Sequence, residues 1–155
     1  HATLDLGVER PVGTQRLVLR TVAGGAFGGA VPVQELAYAG GPTTGPGYRF
    51  HEFSGRFVAS QRLEWHLPVP FVAVPLGRFG RTAPRATLAP FAHVVYATRG
   101  VSLQPGEPAR QGWYPAVGLG SLVLFDLLRL DVARGLRDGR WTFSVDAARG
   151  FWPIL

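Results

Sequence analysis

Few side chains in this sequence are suited to catalysis or metal binding, and the densest group surrounds Glu64 and His66. These two residues lie two apart in a segment that alternates apolar and polar residues, so a strand would place both on one face. If His51 and His93 approached them, the group would resemble a metal site. Because no metal-ligand spacing supports that hypothesis, we favour separate polar residues on a wet face and predict no metal.

Three further motifs fail as catalytic or cofactor-binding signatures. The run GLGSL at 118–122 does not match the Gly-x-Ser-x-Gly of a nucleophile elbow. GGAFGG at 24–29 is glycine-rich, but no helical pattern follows to present phosphate-binding amides. Asp131 and Asp146 are candidate paired carboxylates, although acids on adjacent strands are more often neutralised by arginine. The sequence therefore predicts no enzyme and no cofactor.

The composition favours one domain with many turns, since 155 residues include 21 Gly and 13 Pro. The net charge of +6 comes from arginines spread along the chain, which argues against nucleic-acid binding. Cysteine is absent, which excludes disulfides and thiolate metal sites. No apolar run of about 18 residues predicts a transmembrane helix, whereas membrane-spanning strands stay possible. Because the chain opens at His1 without Met or a signal peptide, we expect a mature product or a fragment.

The first part of the chain alternates apolar and polar residues on both sides of the sequence PVGT, which predicts a β-hairpin. With Val12 and Gly13 as its two-residue turn, oppositely charged residues lie directly across from each other and leucines line the other face. The predicted pairs are Asp5 with Arg20 and Glu9 with Arg16.

Residues 29–54 interrupt this alternation and are predicted to form a long loop rich in Gly, Pro, Thr and Tyr. Loops longer than about 12–15 residues are uncommon in compact domains and are usually functional or disordered. The aromatic residues Tyr38, Tyr48, Phe50 and Phe53 argue against disorder. We therefore predict a packed loop that the rest of the chain encloses.

Further alternating segments follow the loop, so that seven strands are predicted in all. They span 2–10, 14–27, 55–67, 87–98, 114–124, 127–136 and 140–149. Pro68 and Pro70 are predicted to end the third strand, and Pro90 to weaken the fourth.

Segment 116–136 fits either one amphipathic helix or two strands that turn near Phe125. The dipeptide Asp138-Gly139 is a strong hairpin signal, and it favours the strands. That two-residue turn places Asp131 opposite Asp146, which is unfavourable unless an arginine neutralises them.

In the first predicted hairpin, the apolar face is nearly free of charge and the opposite face is charged. In a soluble sandwich the charged face meets water, whereas in a membrane barrel the apolar face meets lipid and the charged face lines the lumen. The alternation alone does not distinguish these two environments.

Three ordered pieces of the chain resemble the C-terminal barrel of the bacterial surface antigen superfamily, which includes BamA, TamA and the two-partner secretion transporters. The pieces are PVQELAYAGGPTTGPGY at 32–48, GRFVASQRLEWHLPV at 55–69 and VGLGSLVLFDLLRLDVARGLRDGRWTFSVDAARGF at 117–151. The resemblance implies an all-β, antiparallel up-and-down meander of about seven long strands, equivalent to the tenth to sixteenth strands of the family. This partial transmembrane β-barrel would hold loop 29–54, inserted between its second and third strands, folded into the lumen. Residues 1–155 would be the C-terminal portion of a barrel whose first strands and any further domains belong to the same chain.

The resemblance also implies which residues form the site. The loop tip is Gly45, Pro46, Gly47, Tyr48 and Arg49, and the lumen-facing residues that support it are Arg16, Arg20, Arg56, Arg62 and Glu64. Two departures stand out: Pro46 occupies the position of the family's tip arginine, and 91–98 lacks the family's partner acid. The absence of both charges together is physically reasonable, because a single buried charge without its partner would destabilise the fold more than the loss of both charges.

The resemblance implies an outer-membrane protein of a Gram-negative-type bacterium that takes part in inserting or translocating other proteins. Its partners would be outer-membrane lipid and unfolded or exported proteins. Two alternatives stay open: a passive barrel that anchors an upstream enzymatic or binding domain, and a self-contained soluble β-barrel that binds a ligand.

Overall fold

The computed structural model describes residues 1–29, 31–75, 77–98, 100–102 and 106–147, and one antiparallel sheet dominates it. The strands are β1 (Ala2–Val12), β2 (Gln15–Gly25), β3 (Ala37–Ala39), β4 (Phe53–Gly55), β5 (Phe57–Pro70), β6 (Arg85–Ala97), β7 (Gly112–Val123), β8 (Leu128–Gly135) and β9 (Trp141–Ala147). Seven of them form the main sheet in the order β1-β2-β5-β6-β7-β8-β9, and β3 pairs with β4. The predicted all-β class and seven-stranded antiparallel order are therefore confirmed. Positions 148 and 149 of the last predicted strand lie outside the described residues.

Helical structure is confined to short turns in the described chain. α1 (Gly41–Thr44) lies in the loop between β2 and β5, and 3-10 turns occur at Val33–Glu35 and Gly77–Phe79. Among the described residues, no helix has both the length and the apolar character that crossing a membrane requires.

The first hairpin forms, but its predicted register is wrong by two residues. Its turn is Gly13–Thr14, where Gly13 has a φ of 62°, so Asp5 lies opposite Val22 and Glu9 opposite Val18. A shift of two keeps every side chain on its predicted face. The predicted ion pairs consequently form between residues that are diagonal neighbours on the two strands, not between directly opposite residues. Arg20 Nε donates to Asp5 Oδ1 at 3.0 Å, and Arg16 Nη1 lies 3.5 Å from Glu9 Oε2.

The β8–β9 hairpin also departs from its predicted register by two residues. Its loop covers 136–140 rather than Asp138-Gly139 alone, because β8 ends at Gly135 and β9 begins at Trp141. The predicted opposition of two aspartates is therefore wrong. The observed pairs are Asp131 with Ser144 and Arg129 with Asp146.

Segment 116–136 forms strands, as the hairpin signal predicted, and the turn lies between β7 and β8. Leu124, Phe125 and Asp126 have φ angles of 54°, 63° and 63° there. Three consecutive non-glycine residues in the left-handed region are unusual, since single residues normally adopt it. No propensity argument from the sequence foresees such a turn.

Proline does not end the third predicted strand, which continues as β5 through Pro68 and Pro70. The β2 ladder stops at the pair Arg16 and His66, so the last residues of β5 have an open side on which proline is tolerated. Pro90 lies within β6, where the ladder to β5 is interrupted between Glu64–Phe91 and Leu67–Leu88.

The two faces of the main sheet have opposite environments. We call the face that bears Arg62 and Glu64 the charged face, and both side chains are buried there. On the opposite face, here called the apolar face, Leu63 and Trp65 are 48% and 47% exposed. Large apolar residues stay exposed on that face from one edge of the sheet to the other. They include Leu4, Leu6, Val8, Trp113, Val117, Leu119, Val132, Trp141, Phe143 and Val145.

Candidate functional site

The long loop between β2 and β5 packs against the charged face. Its side chains Tyr48 and Phe53 are buried, and they belong to one apolar cluster with residues of the main sheet. The other members are Ala37, Ala39, Val58, Val95, Ala97, Tyr114 and Ala116. The expectation of a packed loop is therefore met by contacts that reach three strands of the main sheet.

The loop tip is attached to the sheet by backbone and side-chain hydrogen bonds. Gly47 N donates to Thr142 Oγ1 on β9 at 2.9 Å, and the Tyr48 hydroxyl donates to the Pro115 carbonyl on β7 at 2.7 Å. Gly47 has a φ of 91°, and a Cβ there would lie 2.8 Å from Gly135 N on β8. Glycine is therefore required for the loop to approach the sheet this closely.

Tyr48 is the aromatic centre of this attachment. Its ring packs edge-on against Phe53 and Tyr114, with centroids 5.0 and 5.8 Å away. Burial, followed by the nearby Asp138 carboxylate, raises the pKa of Tyr48 to about 12. The hydroxyl therefore stays protonated and available to donate over the ordinary pH range.

The predicted tip residues differ in burial, and the change falls after Tyr48. Gly45, Pro46, Gly47 and Tyr48 are buried, whereas the Arg49 side chain is 53% exposed. Arg49 Nη1 lies 3.3 Å from Glu107 Oε1, in the connection between β6 and β7. Arg49 thus extends toward that connection, and Pro46 is the tip residue that is buried where the family has arginine.

Glu52 was not predicted as a site residue, and it attaches the loop through both of its carboxylate oxygens. Its side chain is 1% exposed, and its Oε1 lies 2.8 Å from Arg110 Nη2. Arg140 Nη1, from the β8–β9 loop, lies 3.2 Å from Glu52 Oε2. Asp138 approaches both arginines, at 3.5 and 3.8 Å. An acid in an irregular loop carries no sequence signal of its burial, so only the folded chain reveals this cluster.

A second ionic cluster lies on the charged face beneath the loop and alternates in sign. Arg62 Nε is 2.6 Å from Glu64 Oε1, and Arg129 Nη1 is 3.0 Å from Glu64 Oε2. Asp131 Oδ2 receives both arginines, Arg129 Nε at 2.9 Å and Arg62 Nη2 at 3.2 Å. Two acids and two arginines therefore neutralise one another within β5 and β8. Arg62 Nη1 also donates to the Pro42 carbonyl at 3.2 Å, which ties the cluster to the loop.

The metal hypothesis gains no support from this geometry. His66 Nε2 lies 2.8 Å from Glu64 Oε2, but that carboxylate is already engaged by arginines. His93 is buried across from Arg62, and His51 stacks on Phe50 in the loop. Within the described residues, no group of three or more His, Asp or Glu side chains is placed to hold a metal ion.

The structure brings together only part of the predicted support set. Arg62 and Glu64 meet in the buried cluster, together with Arg129 and Asp131, which were not predicted as site residues. Arg16 and Arg20 lie on the same face nearer the β1 edge, in partly exposed ion pairs with Glu9 and Asp5. Arg56 precedes β5 and donates instead to the Gly28 carbonyl at 2.9 Å, at the start of the loop.

Fold and site together define an all-β protein with one open antiparallel sheet, an exposed apolar face and a charged face covered by a loop. No known protein-family model matches the sequence, and no curated protein gives a significant match. Functional assignment therefore depends on the residues, their environment and the resemblance described above.

Proposed function

We propose that this chain is the C-terminal part of an outer-membrane β-barrel of the surface-antigen superfamily. We further propose that the complete barrel takes part in the insertion or translocation of other proteins at the outer membrane of a Gram-negative-type bacterium. In this proposal the apolar face contacts lipid, the charged face lines the lumen, and the loop between β2 and β5 occupies that lumen. Its partners are outer-membrane lipid and unfolded or exported polypeptides.

The observation that supports the membrane assignment most is the inverted distribution of polarity. Charged residues such as Arg62, Glu64 and Asp131 are buried, whereas Trp141 and Phe143 are 64% and 67% exposed. A soluble protein rarely exposes a contiguous apolar surface of this extent. A membrane barrel presents such a surface to lipid and keeps its polar residues inside.

Strand lengths agree with this environment. β1, β2, β5, β6 and β7 contain 11, 11, 14, 13 and 12 residues. A membrane-spanning β-strand needs about 9–11 residues. The described parts of β8 and β9 are shorter, with 8 and 7 residues.

Aromatic residues mark both ends of the apolar face. At one end the Tyr96 ring lies 4.8 Å from Trp113 and 6.3 Å from Phe57, measured between centroids. Nearer the other end, Trp65 Nε1 donates to Gln15 Oε1 at 2.8 Å. Aromatic residues near both ends of the apolar face resemble the aromatic girdles that flank the lipid-facing band of outer-membrane barrels.

The passive-anchor alternative is favoured by one specific observation. Glu64 is neutralised within the sheet by Arg62 and Arg129, so the loop contributes no arginine to it, in contrast to the salt bridge of the family. A loop fixed by Glu52 and Tyr48 instead would suit a barrel whose loop serves as a permanent plug. Loss of protein-insertion activity on deletion of 33–52 from the full-length protein, with the barrel still folded, would favour insertion over anchoring.

A pair of arginine substitutions on β2 tests the membrane assignment. Leu19 lies on the apolar face opposite Leu63, whereas its neighbour Val18 lies on the charged face opposite Glu64. In the full-length protein folded into phosphatidylcholine vesicles, Leu19→Arg should lower the free energy of unfolding by about 2–4 kcal/mol, since arginine would enter lipid. Val18→Arg should cost much less. Equal losses in urea titrations of the two variants would contradict a lipid-facing Leu19.

A further inference from the structure

The hairpin that joins β5 to β6 is the most one-sidedly basic part of the chain. Arg78, Arg81 and Arg85 lie in or beside it, and all three side chains are exposed. Between Glu64 and Glu107 the sequence contains no acidic residue. The hairpin therefore carries a positive charge that its own sequence does not neutralise.

Hydrogen bonds give this hairpin a defined shape in the described ranges 71–75 and 77–84. Phe71 N donates to the Pro84 carbonyl at 3.0 Å at its base. The buried Thr82 receives Val74 N on its hydroxyl at 2.8 Å and donates its own N–H to the Val74 carbonyl at 2.9 Å. A 3-10 turn at Gly77–Phe79, which contains Arg78, lies between Pro75 and Arg81, and these two residues pair across the hairpin.

Exposed apolar residues lie in the same hairpin as the arginines. Phe71, Val72 and Val74 are all exposed, and they follow directly on the last residues of β5. Trp65 on the apolar face marks the same end of the sheet. The hairpin thus continues the apolar face beyond the strands and adds cationic side chains to it.

Asp126, at the turn between β7 and β8, contacts Thr87 at the start of β6. Asp126 Oδ1 receives the Thr87 hydroxyl at 3.2 Å, and Asp126 Oδ2 lies 3.9 Å from Arg16. Its charge is therefore shared with Arg16 at the turn between β7 and β8.

We propose that the described parts of this hairpin, 71–75 and 77–84, form a docking surface for anionic phospholipid headgroups, with Arg78 and Arg81 binding the phosphates while Phe71 and Val72 enter the acyl boundary. This inference rests on the proposed membrane location of the apolar face. Arginine suits the role because its planar guanidinium donates two hydrogen bonds to a phosphate. Basic residues beside a membrane-facing apolar surface favour anionic lipid in the same way.

Vesicle partitioning of the 155-residue chain tests the proposal through the ratio of its partition coefficients for anionic and for neutral vesicles. The partition coefficient is measured by co-flotation with vesicles of pure phosphatidylcholine and with vesicles containing phosphatidylglycerol at about 30 mol%, at low and high NaCl. We expect the wild-type chain to prefer the anionic vesicles, and Arg78→Gln with Arg81→Gln to lower that preference about 25-fold, at about 5-fold for each arginine. Partitioning into neutral vesicles should be unchanged, which also shows that the double variant keeps its fold.

The charge-conserving double variant Arg78→Lys with Arg81→Lys is the matched control. It loses the bidentate hydrogen bonds but keeps both positive charges, so it should keep most of the preference for anionic vesicles. An equal loss in the lysine variant would assign the effect to a disrupted hairpin and overturn the proposal. Retention of the full preference in the glutamine variant would overturn it as well.

Salt-sensitive self-association through Arg78 and Arg81 without lipid would assign the surface to a second copy instead. Failure of the wild-type chain to bind even neutral vesicles would count against the proposed function itself.

Discussion

Single residues at the loop tip decide how closely the loop approaches the sheet. Gly47 combines a φ of 91° with a backbone that touches β8, so its lack of a side chain serves both conformation and contact. Tyr48 fills the space beside it and fixes its hydroxyl on Pro115. Both residues were expected at the tip, whereas their contacts with β7, β8 and β9 depend on the fold.

Gly47→Ala should destabilise the protein by about 1–3 kcal/mol, because its Cβ would press on Gly135 N and Ala116 Cβ in a conformation that alanine avoids. Gly28→Ala is the matched control, since Gly28 also has a positive φ, of 128°, but has open space around it. Urea unfolding of both variants measures the difference. A cost at Gly28 as large as at Gly47 would assign the effect to backbone conformation alone.

Tyr48 predicts a pH dependence of stability at high pH. The folded protein raises the pKa of Tyr48 from its ordinary value of 10.0 to about 12, so folding disfavours the tyrosinate. The resulting stabilisation is complete below pH 10 and is lost as the pH rises toward 12, because the unfolded chain releases this proton first. Tyr48→Phe should lack this decline while losing the hydrogen bond to Pro115 at every pH. Parallel stability curves for the two proteins above pH 10 would contradict the assignment.

At the scale of elements, the loop and the sheet are joined by two ionic clusters with different tasks. The cluster of Glu64 and Asp131 with two arginines neutralises charge within the sheet. The cluster around Glu52 links the loop to the connections that carry Arg110 and Arg140. The second cluster therefore resists detachment of the loop through ion pairs, whereas the first contributes the hydrogen bond from Arg62 to the Pro42 carbonyl.

Glu52→Gln should release the loop, because it leaves Arg110 and Arg140 without their buried carboxylate, at a cost of about 1.5–3 kcal/mol. Local opening should then expose the peptide bond after Arg49 to trypsin, with a cleavage rate about 10–100-fold higher. Mass spectrometry of the early fragments identifies this cut. Glu35→Gln, an exposed change in the same loop, should leave the rate as in the wild type. Similar cleavage in both variants would exclude Glu52 as an anchor.

At the scale of the whole molecule, the main sheet is open. Among the described residues, β1 pairs only with β2 and β9 pairs only with β8, so these two strands form its edges. Strand 2–10 and the described part of the last predicted strand, 140–147, therefore do not pair with each other. An open edge leaves a row of backbone groups unpaired, and in lipid each such group costs several kcal/mol.

The 155-residue chain by itself should therefore fail to insert into vesicles as a monomer. Chemical cross-linking in phosphatidylcholine vesicles is expected to give surface-bound or oligomeric species. Amide hydrogen exchange should be fastest along the outer rows of β1 and β9, with β5 and β6 at the centre protected. A cross-linking pattern of inserted monomers, with both edges protected, would contradict the need for additional strands.

The sequence by itself determined which segments are strands and which face each side chain takes. The alternation of apolar and polar residues with a period of two is a local property of the sequence. It predicted β1, β2 and β5 correctly, and it also predicted the strands in segment 116–136, which a helix fitted as well. The packed character of loop 29–54 was likewise expected from its aromatic residues, two of which, Tyr48 and Phe53, lie in the core cluster. The same alternation placed Arg62 and Glu64 on one face, whereas their assignment as site residues came from the resemblance.

Only the tertiary structure decided register, partners and the anchoring acid. A hairpin register depends on the turn geometry, and a shift of two residues leaves every face unchanged, so the face pattern did not separate the two registers in the first hairpin. The sequence did not distinguish Glu52 as a buried acid from other acids in loops, because its burial depends on Arg110 and Arg140, which are far away in sequence. Long-range contacts of this kind have no local signal, since they form only when distant strands bring their loops to the same end of the sheet.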